Sequence, residues 1–236
     1  MRVLLKILAW AFVLVSAVMG QTTPDDHYNL AVDRQKAGDI NGAITEYTKA
    51  IEIAPQDFES YNNRGNLLKN KGDLPGAIKD FDASLQLVPA QPLTYINRGV
   101  VRIRQGKLDA AIDDFSKAIE LSPELSSAFY NRGTARKEKH DFSLAIEDFT
   151  KVISLVPAHA RAYGNRGKCR LELKDYKAAV ADLTRAIEID PKTAEFYTLR
   201  AVAYRAVNDM ASAIADEKKA KDLGATKEPE VQLSKP

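Results

Sequence analysis

Residues 92–125 read PLTYINRGVVRIRQGKLDAAIDDFSKAIELSPEL, and this segment contains the pattern that predicts the fold. Related stretches recur along most of the 236-residue chain, and the plainest sign of this repeat is a proline at every thirty-fourth position. These prolines are Pro55, Pro89, Pro123, Pro157 and Pro191. A fixed period of this length is typical of one small supersecondary unit that is copied and stacked. Such stacks usually present a shared binding surface, which is the first indication of function.

Other positions follow the same period when the chain is divided into the units 24–57, 58–91, 92–125, 126–159, 160–193 and 194–227. The eighth position is always small, the twentieth is always alanine, and the fourth and twenty-fourth are mostly aromatic. Because steps of three or four residues return to one helical face, these positions predict two amphipathic helices per unit. The pattern resembles the tetratricopeptide repeat family over about residues 24–227. The resemblance implies an all-α fold, a right-handed α-solenoid of six helical hairpins.

The connection inside each unit reads as a tight turn between two helices. The residues at its centre are Gly38, Gly72, Gly106, His140, Lys174 and Asn208. Glycine ends a helix in the left-handed conformation at little cost, and a following Asp can cap the next helix. Of the three replacements only asparagine adopts that conformation readily. The repeated proline is expected to end the second helix of each unit, because it restricts the residue before it.

The two ends of the chain differ from the repeats. Residues 1–20 combine a basic start, an apolar run and small residues near a plausible cleavage point, which predicts a secretory signal peptide. The alternative is an uncleaved membrane anchor, but the apolar run is short for a membrane span of about 20 residues. The sixth unit, 194–227, carries Glu217 in its aromatic position and is interpreted as a degenerate cap, and residues 228–236 are expected to be disordered. Capped ends favour a monomer.

Charge and cysteine content indicate the class of partner and the compartment. The formal net charge is +2, and two of the 34 basic residues, Arg2 and Lys6, lie in the predicted signal peptide. Without them no basic excess remains, so nucleic acid is not an expected partner. The one cysteine, Cys169, is expected to be a small core residue. The predicted signal peptide favours an exported protein, periplasmic or secreted in a bacterium, that contacts the membrane only if that segment stays uncleaved.

The sequence shows no arrangement that is typical of a catalytic, metal or cofactor site. The histidines His27, His140 and His159 share neither a helical face nor a metal-ligand spacing. No phosphate-binding loop or nucleophile motif occurs, and the acidic residues are spread over predicted helix surfaces and caps. We therefore expect no enzyme activity, no metal and no cofactor.

The sixth position is asparagine in five of the units, namely at Asn29, Asn63, Asn97, Asn131 and Asn165. The resemblance implies that the first helix of each unit lines a concave groove and that this position faces it. A carboxamide both donates and accepts hydrogen bonds, as a peptide backbone does, so the column suits an extended peptide. The alternative is that each asparagine bonds a neighbouring helix. Replacing Asn97 and Asn131 by Ala separates the two, because only the alternative predicts a large loss of thermal stability.

Other groove positions vary from unit to unit. The predicted peptide-binding groove also includes Asn62, Asn66, Ile96, Val100, Tyr130, Arg161 and Lys168. Its apolar middle can hold a hydrophobic anchor, and the two cations at its end can meet a carboxylate of the ligand. The carboxylate clamp of some family members is not matched, because Asn62, Ser127 and Asn131 stand where the clamp needs cations.

Two charged columns accompany the asparagines. Arginine fills the seventh position in units two to six, and an acidic residue fills the twenty-third position in all six. Pairs within a unit, such as Arg98 with Asp114, and pairs between units, such as Arg98 with Asp80, are both consistent with the sequence. Pairs between units explain why the first unit lacks the arginine. The interpretation is mainly structural, since the planar arginine fork suits a half-buried carboxylate, and anion capture is the lesser alternative.

Together these features predict an exported, non-catalytic scaffold that binds an extended peptide or a partner protein in its concave groove. The alternative is a structural repeat protein that associates with copies of itself. Concentration-dependent mass measurement would separate the two.

Overall fold

The computed structural model describes residues 22–225, and this part of the chain contains twelve α-helices and no strand. The helices are α1 Pro24–Lys36, α2 Ile40–Ile53, α3 Phe58–Lys71, α4 Leu74–Leu87, α5 Pro92–Arg104, α6 Leu108–Leu121, α7 Ser126–Glu138, α8 Phe142–Leu155, α9 Ala160–Glu172, α10 Tyr176–Ile189, α11 Ala194–Ala206 and α12 Met210–Asp222. The predicted signal peptide, 1–20, and the predicted tail, 228–236, lie outside the described residues.

Each odd-numbered helix packs against the even-numbered helix that follows it, so the helices form six hairpins in the described range. The hairpins belong to two compact subdomains. The N-terminal subdomain ends at Pro89, and the C-terminal subdomain begins at Ala90. The N-terminal subdomain stacks two hairpins, with α2 against α3. The C-terminal subdomain stacks four hairpins, with α6 on α7, α8 on α9 and α10 on α11, and its first helices α5, α7, α9 and α11 also contact one another in order. The predicted all-α fold of stacked helical hairpins is confirmed.

The first helix of each of the six hairpins is followed by a residue in the left-handed backbone conformation. The central residues have φ between 62° and 88°, whether they are Gly38, Gly72, Gly106, His140, Lys174 or Asn208. The second helix then begins at once, and in four hairpins the Asp before it accepts a hydrogen bond from the helix N-terminus, as Asp39 does from the Gly42 amide at 2.9 Å. Lys107 and Asp141 stand at the same position without a side-chain cap. The turn is therefore a fixed feature of the repeat, and its cap is optional.

The small residue at the eighth position lets the two helices of a hairpin approach closely. A Cβ atom added to Gly99 would lie 2.7 Å from the ring of Phe115. The same atom on Gly133 would lie 3.0 Å from Phe149, and both rings are fully buried. Because contacts this short displace neighbouring atoms, the aromatic ring of the second helix occupies space that only glycine leaves free.

Arginine and aspartate pair within each hairpin and not between hairpins. The pairs are Arg64–Asp80, Arg98–Asp114, Arg132–Asp148, Arg166–Asp182 and Arg200–Asp216, with a shortest N–O distance of 2.6 to 2.7 Å in each. Of the two pairings that the sequence allowed, the structure therefore has the one within a unit. The acids are buried and the guanidinium groups are half-buried. Two parallel N–H···O bonds offset the cost of burying the charge, which explains why arginine recurs here.

The arginine nevertheless links successive hairpins through a third nitrogen. Arg132 Nη1 donates to the hydroxyl of Ser116 in the preceding hairpin at 3.0 Å, and Arg166 Nη1 donates to Thr150 at 2.9 Å. In the N-terminal subdomain, Arg64 Nη1 donates to the Thr48 hydroxyl in the same way. One guanidinium therefore joins the two helices of its own hairpin and the second helix of the hairpin before it.

A second arginine reaches the same aspartate in three hairpins. Arg102, Arg136 and Arg170 each place Nη1 2.8 Å from the carboxylate already held by the first arginine. This contact was not predicted, although the sequence repeats an arginine at the eleventh position of three successive units. Each of these buried acids therefore has two cationic partners.

The first hairpin replaces the arginine–aspartate pair by His27 and Glu46. His27 Nδ1 lies 2.7 Å from Glu46 Oε2, and Lys49 Nζ donates to Oε1 at 3.0 Å, with Arg34 3.6 Å away. Burial opposes ionisation of Glu46 most strongly, yet the hydrogen bonds from His27 and Lys49 and the charges of Lys49 and Arg34 together lower its pKa. His27 is thus a polar partner as well as the occupant of an aromatic position.

Candidate functional site

The asparagine column has a structural role at two of its positions. Asn63 Nδ2 donates to the hydroxyl oxygen of Tyr28 at 3.1 Å, and Asn165 Nδ2 donates to that of Tyr130 at 3.0 Å. In both cases the tyrosine belongs to the first helix of the preceding hairpin. These contacts match the alternative interpretation, in which the asparagine joins neighbouring helices.

Asn131 differs from these two. It is half-buried on α7 and forms no hydrogen bond with any other residue of the range 22–225. The position that holds tyrosine before Asn63 and Asn165 holds Ile96 before Asn131. Because an isoleucine side chain cannot accept a hydrogen bond, the Asn131 carboxamide has no equivalent of the tyrosine contact. Asn29 is exposed on α1, and Asn62 and Asn97 are half-buried.

The apolar middle of the predicted groove lies largely in the core. Ile96 is 8% exposed and packs with Ala111, Phe115 and their neighbours, and Val100 packs against the same cluster. Asn66 accepts a hydrogen bond from Lys69 Nζ at 2.9 Å on its own helix. These residues share a helix face with the asparagines, but the structure does not gather them into one cavity.

Four predicted residues do meet in one cleft. The cleft has a volume of about 270 Å³ and lies on the first helices α7, α9 and α11 of the C-terminal subdomain. It is lined by Tyr130, Arg161, Gly164, Asn165, Lys168, Thr193, Glu195, Phe196 and Leu199. We refer to it as the α7–α11 cleft. Its polar residues come mainly from α9, and its apolar residues mainly from α11.

The floor of the cleft is built from residues that depart from their columns. The fifth position is Gly164 here, where other units have Tyr28, Asn62, Ile96, Tyr130 and Thr198. A Cβ atom on Gly164 would lie 2.4 Å from the ring of Phe196, so the ring fills the space left by the missing side chain. Leu199 replaces the asparagine of the sixth position. Phe196 and Leu199 are almost fully buried and give the floor an apolar surface.

Tyr130 forms one wall of the cleft and is held firmly. Its ring lies 5.9 Å from that of Phe149 in an edge-to-face arrangement and 5.0 Å from the imidazole of His159. Burial raises the pKa of the Tyr130 hydroxyl, and the charge of Arg161 and the Asn165 hydrogen bond oppose the shift. The hydroxyl is therefore protonated at neutral pH. Its oxygen accepts from Asn165, and no acceptor among residues 22–225 takes its proton.

The cleft carries a positive excess. Arg161 and Lys168 line it, and Lys137 donates to the Asn165 oxygen at 2.6 Å. Burial lowers the pKa of Lys137, and the nearby charge of Lys168 lowers it further. Glu195 approaches Lys168 only to 4.0 Å and is 64% exposed.

A second carboxylate lies beside this cluster but is already engaged. Both oxygens of Asp190 accept hydrogen bonds, one from the Thr193 hydroxyl at 2.6 Å and one from the Lys192 amide at 3.1 Å. These bonds lower the pKa of Asp190, and the charges of Arg161 and Lys192 lower it further. Arg161, Lys168 and Lys137 therefore lie near two acids. Glu195 approaches Lys168 only to 4.0 Å, and the oxygens of Asp190 already accept hydrogen bonds.

Residues 22–225 show neither a metal centre nor a membrane-spanning helix. No three His, Cys, Asp or Glu side chains in that range are grouped as metal ligands. No described helix has the length and apolar character that crossing a bilayer requires. Cys169 is fully buried, and burial raises the pKa of its thiol to about 12, so it is not an activated nucleophile.

Sequence models identify the family of the chain. Residues 35–72 match a TPR repeat model, and residues 58–91, 92–125 and 160–193 match tetratricopeptide repeat models. Together the matches cover just over half of the 236 residues. The chain is a tetratricopeptide repeat protein. No curated protein sequence is significantly similar to this tetratricopeptide repeat protein.

Solved structures of other tetratricopeptide repeat proteins share the fold. YrrB, described as a TPR protein with an unusual peptide-binding site, is 26% identical, with 75% of this chain and 92% of YrrB covered and a TM-score of 0.67. MamA is 25% identical, with 73% and 94% covered and a TM-score of 0.68. PilF of Pseudomonas aeruginosa is 17% identical, with 86% and 93% covered and a TM-score of 0.73, and this likeness shows the fold alone.

Proposed function

We propose that the protein is a non-catalytic interaction scaffold that binds an extended peptide segment of a partner protein along the first helices of its C-terminal subdomain. The observation that carries the proposal is the α7–α11 cleft, where a tyrosine wall, a polar side and an apolar floor come from three successive first helices. A concave site of this make-up suits one side chain of a peptide together with its flanking backbone. YrrB, whose structure is described as containing a peptide-binding site, supports a peptide as the ligand class.

Asn131 extends the proposed contact beyond the cleft. It lies next to Tyr130 on α7, is half-buried and has no bonding partner in the described range. A peptide backbone can supply both a donor and an acceptor to such a carboxamide. Asn165 contributes less directly, because its amide group already joins Tyr130 to Lys137.

The proposal includes a location and an oligomeric state. Export to the periplasm or the medium is supported by the sequence of residues 1–20, and a protein partner without nucleic acid by the even charge balance of the remaining chain. A monomer is supported by the polar first hairpin and the charged sequence of α12. The second candidate, self-association, is favoured by Met210 and Ile214, whose side chains are 47% and 60% exposed on α12. Sedimentation over a hundredfold range of concentration separates the monomer from the self-associating protein.

Affinity selection tests the peptide function. The purified protein is mixed with a synthetic library of random octapeptides, and bound peptides are identified by mass spectrometry. We expect wild-type protein to retain specific sequences, and Asn131→Ala to retain them severalfold less well with an unchanged thermal unfolding midpoint. The matched control is Gln86→Ala, which removes an exposed carboxamide from the second helix α4. Recovery of no peptide, or equal recovery by both variants, would contradict the proposal.

A further inference from the structure

Three cations meet at one side of the α7–α11 cleft without an equal number of free carboxylates. No carboxylate oxygen among residues 22–225 lies within 4.0 Å of a side-chain nitrogen of Arg161 or Lys137. Arg161 differs in this from the five arginines of the arginine–aspartate pairs, each of which has its acid at 2.6 to 2.7 Å. Like charges that are held together in a partly desolvated site favour the arrival of an anion.

The groups around these cations can also orient a carboxylate. The Tyr130 hydroxyl keeps its proton for an incoming acceptor, since its oxygen takes only the Asn165 amide. Lys137 uses one of its three N–H donors on Asn165. A carboxylate offers about four lone-pair sites, so it can accept from the tyrosine and from two cations at once.

The neighbouring floor calls for an apolar side chain next to that carboxylate. Gly164, Phe196 and Leu199 line the same cleft as Arg161 and Lys168. No other unit combines glycine at the fifth position with a large apolar residue at the third position of the next unit. The third position is Asp26, Ser60, Thr94, Ala128 and Ala162 in the other units. The change therefore places an apolar surface in the same cleft as Arg161 and Lys168.

Building on the proposed peptide function, we propose that the α7–α11 cleft recognises a carboxylate placed beside an apolar side chain. The carboxylate is bound by Arg161, Lys168 and the Tyr130 hydroxyl, and the apolar side chain lies on the floor formed by Phe196 and Leu199. Two sources carry this chemistry: an aspartate or glutamate next to an apolar residue, and the free C-terminus of a chain that ends in an apolar residue. The apolar floor favours such a ligand over a free inorganic anion.

Paired peptide libraries test the inference. Two random octapeptide libraries are prepared with the same sequences, one ending in a free carboxylate and the other in an amide. If an internal acid is the ligand, both libraries yield peptides with Asp or Glu beside Leu, Ile, Val or Phe. If the C-terminus is the ligand, only the free-acid library yields binders, and these end in an apolar residue. Binders without either feature would overturn this inference and leave the peptide function intact, whereas no binders would refute both.

Charge variants of the full chain locate the carboxylate. One recovered peptide is synthesised, and its affinity is measured with wild-type protein and with Arg161→Gln/Lys168→Gln. We expect binding to weaken about tenfold or more, and the wild-type affinity to fall as salt rises. The matched control is Lys151→Gln/Lys177→Gln, which removes the same charge from exposed positions on α8 and α10. Equal weakening by both doubles would reduce the effect to net charge and overturn the inference, and circular dichroism checks that each variant is folded.

Discussion

The arginine–aspartate pairs and the α7–α11 cleft use the same repeat in opposite ways. Five hairpins keep the pair with one geometry, whereas the cleft arises where Gly164, Phe196 and Leu199 depart from their columns. The asparagine column belongs with the pairs at Asn63 and Asn165, since both join neighbouring helices. The most regular polar positions of this chain therefore hold helices and hairpins together, and a ligand site is better sought where the repeat pattern is broken.

Breaking one arginine–aspartate pair should give the largest effect on stability. Arg64→Met leaves Asp80, which is 2% exposed, without its cation and should lower the free energy of unfolding by about 3–5 kcal/mol. Urea unfolding followed by circular dichroism measures the change. Adding Asp80→Leu should recover most of the loss, because no buried charge then remains unpaired.

An exposed ion pair provides the control for this experiment. Lys117 and Glu120 lie 2.7 Å apart on α6, but their side chains are 47% and 64% exposed. Lys117→Ala should leave the urea midpoint almost unchanged, because an exposed ion pair contributes little to stability. If Arg64→Met lowered stability equally little, the arginine–aspartate pairs would not be what stabilises the hairpins.

Two glycine substitutions compare a repeated position with a cleft position. Gly99→Ala places a Cβ atom 2.7 Å from Phe115, and Gly164→Ala places one 2.4 Å from Phe196. Each should cost about 1–3 kcal/mol of stability by overpacking. Only Gly164→Ala shifts the floor of the cleft, so only this variant should weaken the binding of a selected peptide, by severalfold in fluorescence polarisation. Equal affinities for both variants would place the ligand elsewhere.

The acid limb of the stability curve tests the altered pair of the first hairpin. The folded-state pKa of Glu46 is lowered, so its stabilisation is complete above the unfolded-state value of 4.5 and is lost as pH falls through the folded value. Glu46→Gln should cost about 1.5 kcal/mol at pH 7, and this cost should shrink as the pH falls below 4.5. Urea midpoints between pH 7 and pH 3 measure this narrowing difference. A difference that does not change with pH would show that the Glu46 charge makes no contribution.

Substitutions in the turns should have the smallest effect on the free energy of unfolding. Lys174 replaces the turn glycine and has φ of 62°, a conformation that strains a side chain. Lys174→Gly should therefore raise the free energy of unfolding by about 0.5–1 kcal/mol. The same substitution inside a helix, Lys151→Gly, should lower it by about 1 kcal/mol. If Lys174→Gly also weakened peptide binding, this departure from the column would have a functional role as well.

The helices and turns were predictable from the sequence because they depend on local features that recur. Second helices end at Ile53, Leu87, Leu121, Leu155 and Ile189, each two residues before the repeated proline. The left-handed turn was predictable even where histidine and lysine occupy it, since the repeat fixes its position. Tertiary geometry was less accessible. The partner of each arginine depends on which helix lies nearer, and sequence spacing allowed both choices.

The cleft was predictable only in part. Arg161, Lys168 and Tyr130 were predicted as groove residues, because they stand at repeat positions that the family resemblance places in the groove. Phe196 and Leu199 were not among the predicted groove residues, because their role depends on the missing side chain of Gly164, one helix away. The unusual phenylalanine in a column of small residues was the available signal. Ile96 and Val100 were grouped with the groove because they share its helix face, but packing of the following hairpin covers that part of the face.

The burial of Cys169 has a practical consequence. It is the only cysteine of the chain, and its thiol, with a pKa raised to about 12, is almost entirely protonated at neutral pH. Thiol-reactive reagents attack the thiolate, so the native cysteine should react very slowly while the protein is folded. A single cysteine introduced at the exposed position of Lys151 would then take up a fluorophore selectively, with the native residue left in place. Uptake of a second label during unfolding would report the opening of the fifth hairpin.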